Sequence, residues 1–273
     1  MKIEKIKKLS NNKYKIVFDN KESITTYEDV ILEENILYKK ELDTELINKI
    51  NIKNNYYKVY TKTLKYIMTK LRSEKEIKEY LNKELLEEKD KIKIINKLKE
   101  NRMLNDDNYY IAYISDRIRL SNDGPYKIKN YLLEHNIEES KIEEELSKYN
   151  EEIYSKLEKL INKKIKTNKD SNYIMKQKIT NYFINLGYSK SMIDEILSNI
   201  NVDNTDLIKK EYEKQYKKLS RKYSGEELTY KIKNNLYKKG FKIDEINKIL
   251  WYNIICVEVL VWIKYILKLK ICI

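Results

Sequence analysis

Gly124-Pro125-Tyr126-Lys127-Ile128-Lys129-Asn130-Tyr131-Leu132-Leu133-Glu134-His135-Asn136-Ile137 decides how the rest of this chain is read, because its pattern returns at three other places. With Ile128 as the anchor, the echoes are Ile77-Lys78-Glu79-Tyr80-Leu81, Ile179-Thr180-Asn181-Tyr182-Phe183 and Ile232-Lys233-Asn234-Asn235-Leu236, at spacings of 51, 51 and 53 residues. Nine residues beyond each anchor stands another apolar or aromatic side chain, namely Leu86, Ile137, Tyr188 and Phe241. The position before it is Asn136, Gly187 or Gly240 in the last three copies. These residue types most readily take the left-handed conformation that ends a helix. Each unit therefore contains a short helix with a defined stop.

A period near 50 in a chain of 273 residues points to tandem units. Each unit is too small to bury a core alone, so neighbours must cover one another's apolar faces. The expected fold is mainly α, an elongated array of four three-helix repeats behind a small N-terminal β-hairpin module. The expected boundaries are 1–54 for the module, 55–104, 105–148, 149–202 and 203–252 for the repeats, and 253–273 for a tail.

In the module, Lys13-Tyr14-Lys15-Ile16-Val17-Phe18 and Ser23-Ile24-Thr25-Thr26-Tyr27 flank a turn cluster at Asp19-Asn20, which reads as a hairpin, with Ile3-Glu4-Lys5-Ile6 a candidate third strand. Helical spacing follows through Val30, Leu37, Leu42, Leu46 and Ile50, and the junction to the repeats is expected near Asn51 to Asn55. In the first repeat the stripe is Val59, Leu64, Ile67, Met68 and Leu71, and Ser73-Glu74-Lys75-Glu76 has capping-box spacing. Its third helix runs through Ile92, Ile95 and Leu98. The second repeat opens at Asn105-Asp106-Asp107, where acidic side chains suit a helix start. It breaks at Asp123-Gly124-Pro125, with proline at a first-turn position that needs no amide partner. The fourth uses Ile208, Tyr212, Tyr216, Leu219 and Tyr223, with a second capping box at Ser224-Gly225-Glu226-Glu227.

One Pro, four Gly and 36% charged residues suit helices and disfavour extensive sheet. The net charge of +13 points to an anionic partner, although Lys, Asn, Ile and Tyr are all abundant together, as A/T-rich codons would produce. With 25 Tyr against 3 Phe, most tyrosines read as core aromatics with a polar tip. Cys256 and Cys272 are the only cysteines and form no C-x-x-C or Cys/His group, so neither a zinc site nor a disulfide framework is expected. Met1 to Ser10 lacks the apolar core of a signal peptide, so a cytoplasmic location is the expectation. No G-x-x-x-x-G-K-[ST] loop occurs, and no cofactor or enzymatic activity is expected. His135, the single histidine, precedes a helix stop and reads as a surface or capping residue. Asp106 and Asp107, adjacent at a helix start, read as capping groups, not a metal pair. In the tail, Ile254 to Ile263 is an apolar run broken by Glu258 and is shorter than the roughly 20 residues of a membrane span. It reads as a helix extension or packing segment, with membrane-surface contact as the alternative.

The positive charge is unevenly placed. Residues 149–250 hold 22 Lys or Arg against 14 Asp or Glu, whereas residues 1–148 hold 31 against 28. Lys214, Lys217, Lys218, Arg221 and Lys222 are expected on one helix face, opposite the tyrosine stripe, presenting cations to phosphate or to an acidic protein surface. A solvated helix face accounts for them equally well. Arg72, Arg117 and Arg119 form a second candidate set, since arginine is scarce here; structural ion pairs with nearby carboxylates are the competing reading.

Laid out in this way, the chain resembles the RecX family of recombination regulators, in the longer form with an N-terminal β module and extra repeats. The resemblance spans roughly residues 1–252. It rests on Leu71-Arg72-Ser73-Glu74-Lys75-Glu76-Ile77, on Leu104-Asn105-Asp106-Asp107 with Ala112-Tyr113 and Arg117-Ile118, and on Gly124-Pro125 followed by Ile128 and Leu132. Tyr110 departs from the family pattern, which usually has a small residue there. The resemblance implies a protein that binds the RecA recombinase along the groove of its filament on single-stranded DNA. There it would restrain assembly, ATP hydrolysis, strand exchange and repressor-cleavage stimulation, with direct contact to single- or double-stranded DNA in addition. A monomer without a stable membrane span is expected. The other readings are a nucleic-acid-binding repeat that acts without RecA and a helical scaffold for another protein.

Overall fold

The structure is a computed structural model that describes residues 1–10, 12–200 and 203–251. The readings of the 253–273 tail lie outside the described residues. By its internal contacts the chain forms two compact units, Met1–Ser115 with Tyr131–Glu143, and Asp116–Asn130 with Glu144 onward.

The first unit begins with a three-stranded antiparallel sheet, β1 (Ile3–Lys8), β2 (Lys13–Phe18) and β3 (Ser23–Tyr27), in the order β1-β2-β3. The candidate third strand is thus a strand. In the central β2, alternation turns Ile16 and Phe18 into the core. The edge strand β1 carries four charged residues among its six, and charged edges discourage pairing with other chains. Helix α1 (Glu28–Glu33) and a 3-10 turn (Ile36–Tyr38) follow. Ile36 is the buried residue of that turn, and Leu37, expected inside, is exposed.

Helix α2 (Thr44–Ile67) is a single 24-residue helix, capped by Asp43, whose carboxylate accepts from Leu46 N at 2.7 Å. It runs without a break through the expected module boundary at Asn51 to Asn55. The asparagines there are tethers. Asn54 Oδ1 accepts from Thr26 Oγ1 (2.8 Å) and Tyr27 N (3.3 Å), its Nδ2 donates to Thr25 O (3.0 Å), and Asn55 Nδ2 donates to Leu85 O (2.8 Å). The stretch of α2 from its start to Tyr57 closes the sheet core with Ile50 and Tyr57. The rest of the helix contributes Val59 and Ile67 to another core with Ile77 and Leu81 of α3 (Glu74–Leu81) and Ile94, Ile95 and Leu98 of α4 (Glu88–Glu100). Met68, Leu71 and Ile92, read as core, are exposed; Ile94 takes the place given to Ile92.

Helices α5 (Asp106–Leu120), α6 (Pro125–Glu134) and α7 (Glu139–Ser147) come next, followed by α8 (Asn150–Lys166), α9 (Asn172–Asn185) and α10 (Lys190–Ser198). The last set is α11 (Thr205–Leu219), α12 (Gly225–Lys238) and α13 (243–251). The four anchors Ile77, Ile128, Ile179 and Ile232 are all buried.

The helix stops behave as their residue types dictate. Asn136, Gly187 and Gly240 have φ of 60°, 92° and 77°. At each, two backbone bonds reach back over the last turn: Ile137 N to Leu132 O and Asn136 N to Leu133 O, Tyr188 N to Phe183 O and Gly187 N to Ile184 O, Phe241 N to Leu236 O and Gly240 N to Tyr237 O. This is the Schellman pattern, with an apolar residue after the left-handed one folding back on the helix. The first copy lacks both the residue type and the pattern, as Leu86 N bonds only Glu84 O.

Candidate partner and nucleic-acid interface

The residues that carry the sequence resemblance hold helix ends together. Ser73 is fully buried and forms a complete capping box: Glu76 N donates to Ser73 Oγ (3.2 Å) and Ser73 N to Glu76 Oε2 (3.1 Å). The next amide, Glu74 N, donates to Asp106 Oδ1 at 2.8 Å, so Asp106 caps α3 from the start of α5. Asn105 does the capping of α5 itself, accepting from Asn108 N at 3.0 Å. Asp107 pairs with Lys141 at 2.8 Å. The same arrangement returns in the second unit, where Asn204 Oδ1 accepts from Asn172 N, the first amide of α9, at 3.3 Å. Between them, α6 begins with Pro125, which has no amide to satisfy.

Gly124 lies against the stop of α9. Its N donates to Leu186 O (2.6 Å), Tyr126 N donates to Gly187 O (3.0 Å), and a Cβ on Gly124 would sit 2.4–2.5 Å from backbone atoms of Gly187 and Tyr188. Only glycine permits that approach. At the following junction a side chain makes the contact, Ser171 Oγ donating to Lys239 O at 2.6 Å beside Gly240. Ile128 and Leu132 are buried beneath the α6 backbone.

The two cationic sets differ in what surrounds them. Arg72 is the most enclosed: its Nη1 is 2.9 Å from Glu76 Oε1, and its guanidinium lies 4.0 Å over Tyr66, which stacks on Tyr80 at 4.3 Å. Burial alone would raise the Glu76 carboxyl; the Arg72 hydrogen bond, the Ser73 amide and Lys70 outweigh it and hold the carboxyl below its ordinary range. Arg117 lies 3.5 Å from Asp123, and Arg119 lies 3.7 Å from Glu152. All three arginines therefore have carboxylate partners.

Lys214, Lys217, Lys218, Arg221 and Lys222 are all exposed, and among the described residues their side chains make no hydrogen bond or ion pair, although Lys214 is close enough to Glu211 to favour its charged form. They do not share one helix face. Helix α11 ends at Leu219, so Lys214, Lys217 and Lys218 lie on the helix while Arg221 and Lys222 lie on the turn that follows. The inward face also differs from the expected tyrosine stripe. It buries Ile208 and Gln215, with Tyr212 and Leu219 packed against the local core, and Tyr216 is about half exposed, stacked at 6.1 Å on Tyr212. Gln215 is held by Glu211, to which its Nε2 donates (2.7 Å), and by Asn235 Nδ2, which donates to its Oε1 (3.0 Å). A polar residue at an apolar-stripe position carries no periodicity signal, so this lock was not legible. The expected capping box at Ser224 does not form: Gly225 has φ 58° and the Ser224 side chain makes no cap bond.

His135 sits at the end of α6, with Nδ1 2.8 Å from Tyr131 O and its ring 4.3 Å from that tyrosine. A carbonyl only accepts, so Nδ1 carries the proton in this contact. Among the described residues no group of three or more His, Cys, Asp or Glu is arranged to hold a metal, and no helix is long and apolar enough to cross a membrane.

A three-stranded sheet followed by three-helix sets, three of them with left-handed stops, defines a helical-repeat protein. A family model, the third three-helix domain of RecX, matches residues 202–250. The chain is 30% identical over 253 residues to the regulatory protein RecX of Oceanobacillus iheyensis, covering 88% of this chain and 93% of that one. It is 33% identical over 258 residues to the regulatory protein RecX of Streptococcus agalactiae, covering 92% and 98%. A crystal structure of a regulatory protein RecX aligns with a TM-score of 0.62 at 25% identity, over 71% of this chain and 98% of that one. This chain belongs to the RecX family.

Proposed function

We propose that this protein regulates the RecA recombinase by binding its filament on DNA and restraining filament assembly, ATP hydrolysis and strand exchange. It acts as a monomer in the cytoplasm and does no covalent chemistry of its own. The observation that carries the contact surface is the set of five unpartnered cations on α11 and the turn after it. Exposed cations without internal partners are available to neutralise an anionic surface, whereas each of the three arginines has a carboxylate beside it and Arg72 is enclosed with its own. Tyr216, half exposed beside Lys217, adds a ring on which a base or an aromatic side chain can stack. Family membership supports RecA as the partner, and the basic second half of the chain supports DNA as the accompanying one.

The test is the DNA-dependent ATPase of RecA with purified protein added at stoichiometric and lower ratios. Inhibition that weakens when Lys214, Lys217, Lys218, Arg221 and Lys222 are reversed to Glu is the expected result. No effect on the ATPase, with binding to bare DNA retained, supports instead the reading of a nucleic-acid-binding repeat that acts without RecA, which the same unpartnered cations favour.

A further inference from the structure

The junction between the third and fourth helix sets forms an open-mouthed cavity of about 570 Å³, within the roughly 300–1,000 Å³ of small-molecule sites. It lies between the start of α9, the inner flank of α11 and the end of α12. Its floor is apolar, made by Ile174, Leu207 and Phe241. Around that floor stand Lys169, Lys210, Lys214, Lys238 and Lys239, with Asp170 and Glu211 as the only lining carboxylates.

Those two carboxylates are already paired, one of them with a lining lysine. Asp170 pairs with Lys178 at 2.7 Å, and Glu211 pairs with Lys239 at 2.5 Å and accepts from Gln215. Burial pushes the Glu211 carboxyl up, but Lys239 and Gln215 outweigh it, so Glu211 stays ionised and held in place. The side chains of the remaining four lysines, Lys169, Lys210, Lys214 and Lys238, make no hydrogen bond or ion pair among the described residues, and Lys214 adds only a longer-range attraction to Glu211. Like charges gathered around one concavity repel one another unless an anion sits among them.

We infer that this cavity binds a ligand with closely spaced phosphate groups, its apolar floor receiving the attached organic part. The rim cations are all lysines, compact point charges with three donors each, of the kind that neutralises clustered phosphate oxygens in phosphate-binding loops. Two sources carry this chemistry, a free nucleoside triphosphate and the backbone of a nucleic acid strand. The site is distinct from the outer surface of α11, sharing with it only Lys214, and it does not depend on RecA being the partner.

Titration calorimetry on the full chain tests it, with inorganic tripolyphosphate, ATP and a thymidine oligonucleotide as separate ligands at matched ionic strength. Tripolyphosphate binds one to one and more tightly than sulfate. Lys210→Glu with Lys238→Glu weakens it about tenfold or more, the loss expected when a charged hydrogen bond is removed. The milder pair Lys210→Met with Lys238→Met weakens it in the same direction, and Lys217→Gln with Lys218→Gln leaves it unchanged. ATP binding that falls in parallel identifies a free nucleotide as the source; a loss seen for the oligonucleotide and tripolyphosphate but not ATP identifies the strand. Binding no tighter than sulfate, or equal weakening by the α11 pair, overturns the inference.

Discussion

The glycine joint between α6 and α9 and the outer surface of α11 follow opposite rules. At the joint backbone bonds backbone and no atom can be added: Gly124 N donates to Leu186 O, Tyr126 N to Gly187 O, and a Cβ on Gly124 would overlap the Gly187 carbonyl. On α11 and its following turn, five cations are exposed and unpartnered. Arg72 belongs with the first kind of region, since its charge is spent on Glu76 and its face on Tyr66. Polar groups used internally fix geometry, and polar groups left over are free to recognise something else.

The sharpest way to break this contrast is to reverse the α11 set. With five phosphates neutralised, log affinity for a single strand falls against log salt with a slope of about −3.5. Changing Lys214, Lys217, Lys218, Arg221 and Lys222 to Glu brings that slope toward zero and removes roughly three orders of magnitude of affinity at low salt. Stability changes by less than about 0.5 kcal/mol per substitution, because no internal partner is lost. Filter binding over a salt series and urea unfolding measure the two. An unchanged slope would falsify the assignment of these cations to the interface.

Next in size is Gly124→Ala. Its Cβ meets backbone, which cannot swing aside as a flexible side chain can, so the cost is about 3 kcal/mol, the upper end for overpacking. In a chain of this size that lowers Tm by about 10 °C. Gly225→Ala supplies the control: φ there is 58° but nothing lies within 4 Å, so the left-handed penalty alone, about 1–2 kcal/mol, applies. Equal shifts in a thermal melt of the two variants would mean that the joint is looser than drawn.

Arg72→Ala sharpens the comparison from inside the packed region. Losing a mostly enclosed pair and a stacked guanidinium costs about 2 kcal/mol, against less than about 0.5 kcal/mol for the exposed Arg119→Ala. The loss depends on pH. Glu76 is held below its unfolded value, so its stabilisation is present above the unfolded pKa and disappears as pH falls through the folded one. The Arg72→Ala deficit therefore shrinks in acid, which urea titrations at neutral pH and near pH 3 will read; a deficit independent of pH would assign the effect to the Tyr66 stack instead.

Much of this was legible from residue type and spacing. The four anchor isoleucines, the left-handed stops at Asn136, Gly187 and Gly240, the Ser73 capping box and the Pro125 start are local features with sequence signatures. What failed was nonlocal. The junction between module and repeats is expected near Asn51 to Asn55, yet Asn54 and Asn55 sit mid-helix and tie it to β3 and to Leu85. Tyr223 fits the stripe only if α11 continues, and it stops at Leu219, while Tyr216 lies within the helix but is half exposed. The cavity lysines come from three separated segments, so no window of sequence brings Lys169, Lys210 and Lys238 together.

The smallest effect expected is at Asp106, and its sign separates two accounts of the same residue. An acidic residue at a helix start ordinarily gains about 0.3–1 kcal/mol from the helix dipole. Here burial is the largest influence and raises the carboxyl, the Glu74 amide draws it down, and the Glu74 carboxylate pushes it up again. A folded pKa above the unfolded one means that the native state holds the proton more tightly, so stability is lost as pH rises through that interval. What α3 needs from Asp106 is an oxygen acceptor for Glu74 N, and that contact does not require the charge. Asp106→Asn keeps the acceptor and drops the charge, so at neutral pH it is neutral or stabilising by up to about 0.5 kcal/mol, and the difference from the parent narrows below about pH 4. Urea unfolding at both pH values reads this directly. A loss above about 1 kcal/mol at neutral pH would show that the dipole outweighs burial at this helix end.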